Sequence, residues 1–197
     1  MTTPSAAVGA STALIARQAI VNSEKSVIGY ELFNRSRAPA EHTAASDVLL
    51  VFTAMTHAGT EDIMGDKLLF VNCTHESLAG GHLELLDPSK IVLEIQDLGH
   101  SASAEAHLRL PMLETLKQRG FKLSFGHFVL DSVYAGWLAL ANYIKLDLTV
   151  LPRDQWLVLI QYAQKHSTAQ LIAAKMETVE QFELLQQIGV KLFQGFW

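Results

Sequence analysis

The strongest constraint on this 197-residue chain is a cadence in which eight apolar runs of strand length alternate with longer stretches of helical periodicity. The runs are 13–21 (ALIARQAIV), 27–33 (VIGYELF), 67–73 (KLLFVNC), 90–96 (KIVLEIQ), 122–128 (KLSFGHF), 143–149 (YIKLDLT), 169–175 (AQLIAAK) and 190–194 (VKLFQ). Several are apolar at consecutive positions, which fits parallel strands covered on both faces. Helical patterns fall at 44–58, 102–119, 153–166 and 178–188, with shorter ones at 77–86 and 132–141. Val48, Leu49, Val51, Phe52 and Met55 recur at spacings of three and four and give the first of these an apolar face. Thr178 caps the start of 178–188, Glu180 and Glu183 face its positive end, and Gly189 stops it, as Gly120 stops 102–119.

Eight such units predict an α/β fold, a compact (β/α)8 TIM-like barrel, short against the roughly 250 residues usual for the class. A doubly wound open sheet competes. Polar residues at the C-terminal ends of the runs favour the barrel: Glu31, Asn72, Glu94, His127, Lys145 with Asp147, Glu177 and Gln194. A barrel gathers those ends into one mouth, whereas an open sheet spreads them along an edge. Residues 1–12, small and polar, read as a loose tail, and 13–197 as one barrel domain. The run of elements ends where an eighth helix is due, so the barrel is expected to be incomplete at its C-terminal helix.

Charge and composition narrow the function. Lys and Arg number 15 against 20 Asp and Glu, a formal charge of −5, which argues against a DNA-coating protein. No apolar run approaches the roughly 20 residues that span a bilayer, and no secretory signal opens the chain, so a cytoplasmic protein without membrane contact is expected. The single cysteine, Cys73, excludes an internal disulfide and reads as a small core residue.

The ordered motifs resemble the EAL domain of bacterial cyclic-di-GMP phosphodiesterases, in the variety that often precedes an HDOD domain. RQAIV (17–21) stands for a Gln-Pro-Ile run, GYELFNRS (29–36) for the Glu-Ala-Leu segment with its trailing Arg, and FVN (70–72) for the Asn strand. VLEIQD (92–97) stands for Glu-x-x-Glu, KLSFGHF (122–128) for the strand ending Asp-Asp-Phe, and IKLD (144–147) for Lys-x-Asp. LIAAKMET (171–178) matches Ala-Glu-x-Val-Glu-Thr, and LFQGFW (192–197) the closing Gln-Gly-Tyr. The resemblance implies two Mg or Mn ions in active relatives, held by carboxylates and an Asn, which activate water and stabilise charge on the phosphodiester. Carried over by position, Glu31, Asn72 and Glu94 are metal-ligand positions, Lys145 positions water, Glu177 and Gln194 support them, and Arg35 contacts nucleotide.

The departures lie at the centre. Gly126 and His127 stand where the family has adjacent aspartates, Ala174 where it has a glutamate, and Asp97 where it has the second Glu of Glu-x-x-Glu. With three oxygen donors missing, no metal cofactor and no catalytic residue are expected, and the six retained positions read as vestigial. A Zn or Fe ion on His127, Glu31 and Glu94 is the weighed alternative, since imidazole suits those metals. Without metal, Lys145 is expected to pair with carboxylates, Glu177 among them. His42, His57, His75, His82, His100, His107 and His166 lack ligand spacing and read as surface.

The expectation is a catalytically degenerate EAL-like signalling module acting by protein–protein contact, with a protein partner or as a homodimer. The alternatives are a phosphodiesterase with a rearranged metal site and a non-hydrolysing sensor. Cyclic-di-GMP binding is expected to be weak, because a phosphate about 4 Å from an uncompensated carboxylate costs on the order of 4 kcal/mol at an effective dielectric near 20. Lys145 and Arg35 offset part of that. Phe196 and Trp197, with Val133, Tyr134 and Trp137 in the segment 129–137 that replaces a Gly- and Ser-rich lid, are the expected interaction surface.

Overall fold

The computed structural model describes residues 15–34 and 65–195. Eight strands close into a barrel in chain order. They are β1 Ile15–Asn22, β2 Val27–Asn34, β3 Leu68–Cys73, β4 Ile91–Ile95, β5 Lys122–Gly126, β6 Tyr143–Asp147, β7 Gln170–Met176 and β8 Leu192–Gly195. The barrel class is as expected, and the open sheet is excluded. One strand departs from the all-parallel pattern, because β1 runs antiparallel to both β2 and β8. The reason is local: a parallel crossover needs a dozen or more residues, whereas residues 23–26 form only a reversing turn. In that turn the Asn22 side chain accepts from the backbone N–H groups of Glu24 and Ser26 at 3.0 and 2.9 Å.

Around the barrel lie α1 His75–Leu78, α2 Ala102–Gln118, α3 Ala135–Leu138, α4 Trp156–His166 and α5 Val179–Gln187. The expected capping is present. Thr178 accepts from the Gln181 N–H at 3.2 Å while the Gln181 side chain accepts from the Thr178 N–H at 3.2 Å. Gly120 and Gly189 end their helices at φ 96° and 93°, a left-handed conformation that favours glycine. The patterns at 77–86 and 132–141 are corrected to short helices joined to 3-10 turns at Gly81–Leu85 and Ser132–Tyr134. Gly80 and Gly81 interrupt the first, and the Asp131 side chain caps the second by accepting from Val133 N–H at 3.0 Å. The pattern at 44–58, the tail 1–12, Arg35, Phe196 and Trp197 lie outside the described residues.

Alternation along the strands builds two cores. Outward residues such as Leu93, Phe125, Ile144 and Phe193 pack in the large cluster shared with the helices. Inward residues Ile20, Phe70, Val92, Tyr143, Ile172 and Leu192 form a separate apolar plug inside the barrel. Phe70 meets Tyr143 edge to face at 5.1 Å. Gly29 makes room for it, since a Cβ there would come within 3.1 Å of the Phe70 ring and 2.7 Å of the Leu68 carbonyl. This plug is the floor of the mouth.

The segment 129–137 is not the surface expected from its sequence. Tyr134 and Trp137 are only 3% and 1% exposed, while Val133 is half-buried. The Trp137 indole donates to the Ala106 carbonyl of α2 at 2.8 Å and packs against Tyr134 and Phe125 with ring centroids at 4.9 and 5.8 Å. An apolar pair at helical spacing describes a core face as readily as a docking face, and here α2 covers it. Among the described residues, no helix is long and apolar enough to cross a membrane. Trp137→Ala is therefore expected to lower stability by about 3–5 kcal/mol in urea unfolding; an unchanged midpoint would place Trp137 at the surface after all.

Candidate functional site

Two residues beyond the plug along the parallel strands, the inward positions turn polar: Asn72 follows Phe70, Glu94 follows Val92, Lys145 follows Tyr143 and Gln194 follows Leu192. Because β1 is antiparallel, its counterpart, Gln18, precedes Ile20. These residues line a cavity of about 430 Å³ at the mouth, together with Glu31, Ser124, Gly126, His127, Asp147, Ala174 and Lys175.

Glu31 is the hub. Its Oε2 accepts from Lys145 Nζ at 2.6 Å and from Gln194 Nε2 at 2.5 Å, and its Oε1 accepts from Asn72 Nδ2 at 3.0 Å. Lys145 Nζ also lies 2.8 Å from Glu94 Oε1, which the Ser124 hydroxyl reaches at 3.5 Å. Glu94 Oε2 is buried and has no hydrogen-bond partner among the described residues. Burial above all, with the neighbouring Glu31 charge, pushes the Glu94 carboxyl up to about 8 against the pull of Lys145. Burial opposes ionisation of Glu31 too, but the Lys145 charge, then hydrogen bonding with Glu94, Lys145 and Gln194, outweighs it and holds that carboxyl below its ordinary value. Burial also works against the Lys145 charge, and Glu94 and Glu31 overcome it and raise its pKa. The two carboxyls are thus driven apart, Glu31 toward its charged form beside the Lys145 ammonium and Glu94 toward its protonated form.

The other carboxylates of the mouth are engaged as well. Asp147 Oδ2 lies 2.7 Å from Lys175 Nζ, and its Oδ1 accepts from the Thr149 N–H and hydroxyl at 3.0 and 2.6 Å. Asp97 accepts from the Tyr134 hydroxyl at 2.5 Å and from the Gly99 N–H at 3.0 Å, so it anchors the segment after β5. Burial, then this bond to Asp97, pushes the Tyr134 hydroxyl up to about 12.

Six residues singled out from sequence, Glu31, Asn72, Glu94, Lys145, Asp147 and Gln194, share the mouth with Gly126, His127 and Ala174. Glu177 does not join them: it is exposed, its N–H donates to the Gln181 side chain at 2.7 Å, and Lys145 pairs with Glu31 and Glu94 instead. β7 ends at Met176, and Glu177 lies past it, immediately before Thr178, the N-cap of α5. His75 is also corrected from surface to half-buried, 5.9 Å from Trp137, with its Nε2 3.1 Å from the Gln96 carbonyl. Cys73 is buried. Sequence reasoning missed Gln18, Ser124 and Lys175; alternation from Glu94 and Lys145 could have found Ser124, while strict alternation assigns Lys175 to the wrong side.

Oxygen donors at the centre come from Glu31, Glu94 and Asn72, with both carboxylates already bonded to Lys145. Among the described residues no group of three or more His, Cys, Asp or Glu side chains could hold one ion. Two cations at the centre would share these three residues and would have to displace Lys145 from both carboxylates.

No family model matches the sequence. The chain is 24% identical over 192 residues to the cyclic di-GMP phosphodiesterase CdgJ of Vibrio cholerae, covering 94% of this chain and 44% of that protein. It spans less than half the length of the curated relatives it matches. Among solved structures, the Bacillus subtilis YkuI protein, which has an EAL domain and was captured with cyclic-di-GMP and calcium, superposes with a TM-score of 0.68 at 21% identity, covering 91% of this chain and 53% of that one. Klebsiella pneumoniae BlrP1 with FMN and cyclic-di-GMP but no metal ions superposes at 0.67 and 21% identity, covering 98% of this chain and 54% of that one.

The buried cluster makes stability depend on pH. Folded Glu94 keeps its proton up to about 8, whereas an unfolded chain releases it near 4.5, so the folded state binds more protons in that interval and stability falls as pH rises through it. Glu94→Gln removes this titration. In urea unfolding at pH 5 and pH 8, the native protein is expected to lose stability relative to the variant; parallel behaviour would contradict the assignment.

Proposed function

With the fold of EAL domains as the premise, we propose that this chain is a signalling module that does not hydrolyse cyclic-di-GMP and acts through protein contacts. One observation carries the reading: the ammonium of Lys145 is held between the two remaining glutamates at 2.6 and 2.8 Å, while Gly126, His127 and Ala174 line the walls around it. The resembled family places carboxylates at those three positions to assemble its metals. Loss of one transition-state donor alone costs roughly 100- to 1000-fold in rate elsewhere, and loss of the groups that assemble the metals removes more. Asp97, the shortened member of Glu-x-x-Glu, is committed to Tyr134 rather than to the centre. Zn or Fe chemistry on His127 gains no support, since no three-ligand group forms among the described residues.

Binding without cleavage is a second reading, and the charge pairing of the mouth favours it. The repulsion expected between a phosphate and bare carboxylates is relieved, because Glu31 is paired with Lys145 and Asp147 with Lys175. The BlrP1 complex supports the same idea from a relative, as it contains cyclic-di-GMP and no metal ions. A protein partner or a second copy then provides the output. Of the surface assigned to that contact within the described residues, only Val133 keeps partial exposure.

Incubation with cyclic-di-GMP in Mg or Mn, followed by chromatography, is expected to yield no linear dinucleotide. Linear product that disappears in Glu31→Ala would overturn the proposal and restore the rearranged phosphodiesterase.

A further inference from the structure

Lys175 occupies a backbone conformation that an ordinary strand residue avoids. In β7, Ala173 packs outward in the main core and Ala174 faces the cavity, so the next side chain should face outward again. Instead φ at Lys175 is 58°, in the left-handed region that disfavours residues with a Cβ, and the side chain lines the cavity. The neighbouring backbone enforces this turn. β7 and β8 shift register between Ala173 and Met176, and they approach so closely that a Cβ on Gly195 would lie 2.1 Å from the Met176 carbonyl oxygen. Strain of this kind persists where the surroundings over-determine it, and it concentrates at binding and catalytic sites.

The chemistry around Lys175 gives the strain a purpose. The side chain is 62% exposed at the rim, and Asp147 holds its ammonium at 2.7 Å. Asp147 is itself oriented by Thr149 through its other oxygen. An ammonium has three donors, so this arrangement leaves Lys175 able to take a second acceptor from a molecule in the cavity. Lys145, the other ammonium lining the cavity among the described residues, is already divided between Glu31 and Glu94. Lys175 also adjoins Ala174, where the resembled family carries a carboxylate. Ala174 contributes no charge there, and the Lys175 ammonium lies beside it.

We infer that Lys175 is an anion-binding residue of the mouth, turned inward by its left-handed backbone to contact a phosphate of a cyclic dinucleotide bound without divalent metal. The inference rests on the binding-without-cleavage reading above. It assigns the rim of β7 a role that the retained positions Glu31, Asn72 and Lys145 do not supply.

The test is calorimetric titration of cyclic-di-GMP in EDTA, with thermal melting, on the native chain, Lys175→Gly and Lys175→Arg. Glycine adopts the left-handed conformation freely, so Lys175→Gly keeps the backbone while removing the side chain and its ammonium, including the pair with Asp147. The expected result is metal-independent binding by the native chain, affinity at least tenfold weaker in Lys175→Gly with an unchanged or higher melting temperature, and recovery to within threefold in Lys175→Arg. Binding by Lys175→Gly within twofold of native overturns the role of Lys175 and leaves the binding reading standing. Native binding that requires Mg or Mn overturns the metal-free site. No native binding under either condition overturns the binding reading and the role of Lys175 with it.

Discussion

A carboxylate inside a barrel must be neutralised or protonated, and this structure does both within one cluster. Glu31 and Glu94, each about 5% exposed, sit directly above an apolar plug where ionised groups are poorly solvated. Lys145 reaches both, and two amides complete the shell of Glu31. The three strands that bring these side chains together, β2, β4 and β6, are not neighbours in the barrel. Only closure brings them to one point, so the cluster is a consequence of topology as much as of residue choice.

The same cluster separates what a fold inherits from what a site can do. The mouth brings two glutamates, an asparagine and a lysine to its centre. Gly126, His127 and Ala174 line the walls around them without a carboxylate. The Lys145 ammonium lies between Glu31 and Glu94 at the centre, and Lys175 pairs with Asp147 at the rim. The segment after β5 is fixed in place by Tyr134 on Asp97 and by Trp137 on α2. Its aromatic residues are therefore core, and its rigidity is coupled to the β4 end of the mouth.

Much of this was legible in the sequence because period-two alternation and strand-end polarity are local signals that closure merely assembles. Glu31, Asn72, Glu94, Lys145 and Gln194 could be placed at one mouth from their positions at the ends of apolar runs. The direction of β1 was also encoded, in a connection of four residues too short for a crossover, yet the run itself reads like any other strand. Lys175 and Glu177 were not legible for different reasons: a left-handed backbone beside the close approach of Met176 to Gly195 turns Lys175 toward the mouth, whereas Glu177 lies past the end of β7 at the start of α5. Trp137 and Tyr134 failed for a related reason, since an apolar pattern announces burial without naming what covers it.

The central claim is that Lys145, rather than a pair of metal ions, is the cation of the centre. Electron paramagnetic resonance during Mn(II) titration tests it most directly, because two manganese ions bridged by protein oxygens give a spin-coupled spectrum distinct from that of isolated ions. The account predicts that no coupled pair forms, in the native chain or with cyclic-di-GMP present. A coupled spectrum saturating at two ions per chain, and lost in Glu31→Ala, would contradict it.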